Sequence, residues 1–143
     1  MVLKRFSAFF PLLVAAVLAS TVAPAVAAPG HASVVIRHQM QGCHAWSVNG
    51  GAFKPSRSLT LQRGGTIVVT DNDVMSHKLV LTSGPSLRIA HALLGHMGAS
   101  LKLTFPKPGV YHFTTRAGED YPGMTGMKTI GEDNVLKLTV VVT

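Results

Sequence analysis

From about residue 30 onward the chain is written in short stretches of alternating or β-branched character, each closed by turn-forming residues. Ala32 to Ile36 is dense in β-branched side chains, which suit a pleated, half-buried backbone. Ser58 to Gln62 places Leu59 and Leu61 on one face. Gly64-Gly65 then turns the chain into Thr66 to Thr70, with Ile67 and Val69 on one side. Asp71-Asn72-Asp73 reads as a turn, followed by a strand from His77 to Thr82 with Leu79 and Leu81 on a shared face. Ser83-Gly84-Pro85 ends it. Ser100 to Phe105 alternates through Leu101, Leu103 and Phe105. Pro106-Lys107-Pro108-Gly109 turns into Val110 to Thr115, and Val135 to Val142 closes the chain. That makes about seven strands with turns at close spacing, the pattern of an all-β sandwich or barrel of Greek-key type. Ile89 to Leu94 is the one place where a short helical turn is expected. The leucine, isoleucine and valine pairs are core faces and carry no function.

The first stretch follows a different rule. Lys4 and Arg5 precede an uncharged run from Phe6 to Pro29, and Ala25-Val26-Ala27 gives a small-x-small cleavage pattern. Residues 1–27 therefore read as a secretory signal peptide and residues 28–143 as one domain. An uncleaved anchor is the alternative, since the run is long enough to cross a bilayer. Pro11, Pro24 and the alanine-rich end argue against it. No later segment is apolar enough to span a membrane. The expectation is a secreted or periplasmic protein that is soluble after cleavage.

Composition narrows the function classes. The chain of 143 residues carries a net charge of +7, of which the signal contributes Lys4 and Arg5. The remaining basic residues are scattered singly, without the clustered basic and aromatic surface that nucleic acids require. No nucleophile-histidine-acid order, HExxH or paired-carboxylate signal points to an enzyme. What stands out is the supply of metal-binding side chains: 7 histidines, 1 cysteine and 6 methionines, all but Met1 beyond the signal. A lone cysteine in an oxidising compartment is buried, bridges two chains or binds metal.

The order of motifs resembles the cupredoxins. Phe53-Lys54-Pro55, Leu59, Leu61, Gly64 and the Val68-Val69 end of the next strand are similar to that family's F-x-P-x-x-L-x-V-x-x-G-x-x-V-x-V stretch. Asn72-Asp73-Val74-Met75-Ser76-His77 resembles its N-x-D-x-x-x-H segment. Pro108-Gly109-Val110-Tyr111-His112-Phe113 resembles P-G-x-Y-x-F, and Gly123-Met124-Thr125-Gly126 resembles G-M-x-G. The match covers residues 33–143, poorly from Ser83 to Gly98 and in the loop from Arg116 to Asn134. The resemblance implies a cupredoxin-like sandwich with His77 as first copper ligand and Met124 as axial ligand. One departure is clear. Thr115 stands where a blue copper protein has its ligating cysteine, and Gly118-Glu119-Asp120-Tyr121 offers no second histidine. A blue centre needs thiolate and two imidazoles, so it is not inherited.

The short turn pairs Ser100 to Phe105 antiparallel with Val110 to Thr115, and the same resemblance gives the strand directions. On those directions His77, Cys43-His44, His96-Met97 and the loop of Met124 and Met127 converge on one end of the sandwich. The metal candidates are His77, Cys43, Met124, His96 and His44. Cys43 and His44 alternate in an extended chain, so one or the other serves a given ion. Trp46 reads as core or as a ring shielding the site. His38 and Met40 share one face of a strand and read as a wet surface pair, with a small exposed copper-capture point as the alternative, and His112 is expected to face solvent. Glu119 reads as a loop carboxylate, and His31 and His91 have no supporting context. Thiolate, thioether and imidazole together favour copper, as Cu(I) or Cu(II), over zinc. The expected function is copper capture, storage or delivery, with copper ion and a second copper-handling or redox protein as partners. Two alternatives stand beside it: an electron carrier using the Cys43 thiolate, and a metal-free β-sandwich serving as a binding or cell-surface module.

Overall fold

The computed structural model describes residues 27–39, 44–117 and 136–143. The signal pattern of residues 1–27, save Ala27, lies outside them, as do Met40, Cys43, Glu119, Met124 and Met127. Nine strands are present among the described residues: β1 (His31–His38), β2 (His44–Val48), β3 (Ser56–Leu61), β4 (Thr66–Asn72), β5 (His77–Ser83), β6 (Leu93–Leu94), β7 (Ser100–Thr104), β8 (Gly109–Ala117) and β9 (Lys137–Val142). They form two sheets, in the orders β2-β1-β4-β7 and β3-β9-β8-β5-β6. The β1/β4 and β3/β9 pairs are parallel and the other pairs of neighbours antiparallel. No helix among the described residues is long and apolar enough to cross a membrane.

The expected all-β sandwich is therefore present, with each of the seven expected strands in place. Alternation accounts for them. In β1, Ala32, Val34 and Ile36 are buried while Ser33 and Arg37 are exposed. In β8, Tyr111 and Phe113 face the core and His112 faces out. Phe105 packs edge-on against Tyr111 at 4.9 Å and against Phe113 at 6.1 Å between ring centroids. Full burial of each such ring contributes roughly 1.5–3 kcal/mol. The polar ends of the large aromatics are satisfied: Tyr111 donates its hydroxyl to Lys107 O at 2.7 Å, and Trp46 donates Nε1–H to Pro55 O at 3.0 Å.

Three features differ from the sequence reading, the first being a strand it did not include. Strand β2 has no alternating signal because all five residues are buried. Its inner face meets the core and its open edge is covered by the Trp46–Lys54 bridge, so the period-2 pattern that reveals a half-exposed strand is lost. Asn49 and Gly50 turn out of β2 with φ of 50° and 72°, and Gly51 N donates back to Val48 O at 2.9 Å. These are the left-handed conformations that an Asn-Gly turn tolerates. Second, Ser100 to Thr104 does not pair with the Val110 strand. Strand β7 pairs antiparallel with β4 in the opposite sheet, and the prolines at 106 and 108 carry the chain across the sandwich. The expected strand directions hold even so, because β4 rises as β8 does. Third, Ile89 to Leu94 is not helical. His91 is left-handed, with φ of 55°, and Leu93–Leu94 pairs with His77–Lys78.

Candidate metal centre

Parallel pairing of β1 with β4 brings their C-terminal ends together, with Arg37 opposite Asn72. Antiparallel pairing of β1 with β2 sets His38 opposite His44. The turn after β4 supplies Asp73, and β5 opens in the facing sheet with His77. One end of the sandwich therefore receives His38, His44 and Asp73 from one sheet and its turn, and His77 from the other.

The side chains meet at one carboxylate oxygen. His44 Nε2 lies 3.1 Å from Asp73 Oδ2, and His77 Nε2 lies 3.3 Å from the same atom. The two imidazoles cross nearly at right angles with centroids 4.8 Å apart. His44 is 2% exposed, Asp73 1% and His77 0%. His38 is exposed and packs edge-on against His44 at 5.5 Å. One donor atom each from His38, His44 and Asp73 lies within 4.8 Å of the others. The carboxylate is held from behind. Asp73 Oδ1 accepts from Met75 N at 3.1 Å, and Asp73 N donates to Asp71 Oδ1 at 3.0 Å.

Burial dominates the electrostatics. It pushes the Asp71 carboxyl up from 3.8 to about 7. The backbone hydrogen bond from Asp73 and the charge of His96 pull the other way, while the Asp73 carboxylate adds to the rise. Burial lowers His77 from its ordinary 6.5, with His44 acting in the same direction and Asp73 opposing both. A lowered pKa keeps the His77 ring neutral at physiological pH, the form that offers a lone pair to a metal.

The polar atoms at this end lack partners to a degree unusual for a folded interior. Among the described residues, His44 Nδ1 and Nε2, His77 Nδ1, Asp71 Oδ2 and Thr115 Oγ1 are buried without a hydrogen bond. His44 Nε2 is close enough to Asp73 but badly aligned. Each such group costs about 1–3 kcal/mol when left unpaired. Converging imidazoles around a fixed carboxylate, with unmet bonding capacity, fit a first-row transition ion. The described donors are nitrogen and oxygen, which suit Cu(II), Zn(II) or Fe(II), and copper binds such sets most tightly of the divalent series.

Of the sequence candidates, His77 and His44 are brought together. His96 stays outside the cluster: it is exposed, with Nδ1 3.0 Å from Met97 O. Its loop does reach the same end, where Gly98 N donates to Asp71 O at 2.6 Å and Asp71 N donates to Ala99 O at 2.9 Å. Cys43 and Met124 lie outside the described residues. Thr115 is buried on β8 opposite Leu79, one inward position below His77, so it faces into the end where the resemblance expects a thiolate. Sequence reasoning missed Asp73 as a ligand candidate and the approach of His38 to His44. The available signal was an aspartate four residues before the best histidine candidate, in a chain with only 6 acidic residues.

No protein-family model matches the chain, and no curated protein matches its sequence. Solved structures do resemble it. A purple cupredoxin from Nitrosopumilus maritimus is 14% identical with a TM-score of 0.48, covering 78% of this chain and 98% of its own. A reduced amicyanin variant is 15% identical with a TM-score of 0.43, covering 78% and 82%. A multicopper oxidase from Campylobacter jejuni is 15% identical with a TM-score of 0.47, covering 79% of this chain. The chain spans about a quarter of that oxidase, 25%.

Proposed function

We propose that this protein is an extracytoplasmic copper-binding protein, a carrier or store rather than an enzyme, that holds copper at the histidine-aspartate end of the sandwich. The observation that carries this reading is the meeting of His44 Nε2 and His77 Nε2 on Asp73 Oδ2, at 3.1 and 3.3 Å, with all three side chains buried. A purely structural core has no use for two imidazoles converging on one oxygen with ring nitrogens unmet. Copper is favoured over zinc and iron by its affinity for nitrogen-oxygen sets. Export is supported by the leader pattern of residues 1–27.

Residues 28–143, loaded with copper, zinc and iron(II) separately and dialysed, test the reading by metal stoichiometry. One copper per chain is expected, falling by on the order of 100-fold in affinity for Asp73→Ala. Preferential retention of zinc or iron would replace copper as the ion. Retention of none of the three would leave the metal-free sandwich. The thiolate electron carrier would instead require Cys43 to replace His44 at the ion, since neighbours in an extended chain point to opposite faces. An intense visible band that disappears in Cys43→Ala would establish that carrier.

A further inference from the structure

The four side chains at the metal end do not form one shell. They form two overlapping sets that share His44 and Asp73. The outer set is His38, His44 and Asp73, whose donor atoms lie within 4.8 Å of one another. The inner set is His44, Asp73 and His77, joined by the 3.1 and 3.3 Å approaches to Asp73 Oδ2. Exposure is graded across them. His38 is exposed, His44 is 2% exposed and His77 is fully buried. The shared pair is thus flanked by one imidazole on the solvent side and one on the core side.

We propose that copper is taken up by the outer set and passed to the inner one, with His38 serving as an exchangeable uptake ligand while His44 and Asp73 remain bound throughout. The inference rests on the copper-binding reading above. His38 is exposed to solvent, whereas His77 is fully buried and linked to His38 through the His44 ring, 5.5 Å from His38 and 4.8 Å from His77 between centroids. Ligand exchange in two small steps avoids stripping the ion of all its water at once. The step moves no electron. The bond from a His38 ring nitrogen to copper breaks as the bond from His77 Nε2 forms. His77 enters the step as its neutral Nδ1–H tautomer, in which Nε2 carries the lone pair and no proton has to move. Release is the reverse path, so His38 sets the rate in both directions.

The test is stopped-flow mixing of metal-free residues 28–143 with a Cu(II)–glycine complex, then with excess EDTA. Fluorescence of Trp46, two residues from His44, reports binding. Electron paramagnetic resonance of the equilibrated protein reports the final donor set. His38→Ala is expected to slow uptake and release alike by roughly tenfold, leaving the Kd and the spectrum unchanged. His112→Ala, whose ring lies on the outer face of β8, serves as the control and is expected to match the wild type. Unchanged rates in His38→Ala overturn the relay while leaving copper binding intact. A weaker Kd with an altered spectrum also overturns it, because His38 would then be a permanent ligand. A wild type that takes up no copper overturns the binding reading and the relay together.

Discussion

Strand β8 passes through two kinds of interior. Near its start Tyr111 is fully buried, packs on Phe105 and closes its hydroxyl onto Lys107 O at 2.7 Å. Four residues later Thr115 points the same way and is nearly as buried, yet its hydroxyl has no partner. In the middle and lower sandwich the Tyr111 and Trp46 tips are bonded, and Arg57 Nε is the buried polar atom left unpartnered among the described residues. The upper end gathers histidines and aspartates whose bonding is incomplete. The lower region specifies the fold, and the upper region uses a fold already specified. Groups that destabilise the free protein are tolerated there because the remainder supplies the stability.

That contrast is open to direct attack. The largest effect belongs to the lower region. Phe113→Ala removes a ring at the centre of the aromatic cluster and is expected to cost about 3–5 kcal/mol, read from urea unfolding. A loss below 1 kcal/mol would mean the cluster is not the structural centre.

The next effect belongs to the upper region and appears as a pH dependence of the metal-free protein. Asp71 is raised from 3.8 to about 7, so the folded chain holds that proton to higher pH than the unfolded chain does. Its contribution is most favourable below about pH 4, declines as pH rises to about 7 and is flat above. The decline is on the order of a few kcal/mol. His77 acts with the opposite slope. Its folded value is lowered below 6.5, so stability is lost as pH falls below 6.5. Asp71→Asn imitates the protonated carboxyl and keeps the acceptor for Asp73 N. Subtracting its stability profile from the wild type should isolate the decline between pH 4 and 7. A flat difference would show that Asp71 ionises as easily in the folded chain as in the unfolded one.

A smaller effect distinguishes the regions by sign. Thr115→Val removes the unpartnered hydroxyl and should stabilise the metal-free protein by about 1 kcal/mol, seen as a higher urea midpoint. Destabilisation would mean that the hydroxyl is bonded in solution. The smallest effect lies outside both interiors. His112 is exposed, with Nδ1 3.2 Å from Thr139 Oγ1. His112→Ala should change stability by less than about 0.5 kcal/mol, and copper stoichiometry should not move.

How much of this was legible in the sequence depended on exposure. Strands with one wet face, such as β1 and β7, advertise themselves by alternation. Strand β2 hides because burial on both faces erases that pattern. His77 could be found because a local motif surrounds it. Asp73 lies in the same motif but is masked by a second explanation, since an aspartate in Asp-Asn-Asp also suits a turn. His38 gained its meaning only from register, since nothing in the sequence says that β1 and β2 pair with His38 opposite His44. The expected pairing of β7 with β8 failed for a related reason. A short Pro-rich connection serves equally to fold a hairpin or to cross between sheets, and local spacing does not distinguish them.

The position of β9 has a consequence for how the chain comes together. It lies inside its sheet, hydrogen-bonded to β3 on one side and β8 on the other, although it follows both in the chain. Until β9 is available, β3 has no partner in that sheet. Assembly therefore waits on contacts between residues far apart in sequence, the situation in which folding is slow. A chain cut short before β9 would leave that sheet in two pieces, with β3 separated from β8.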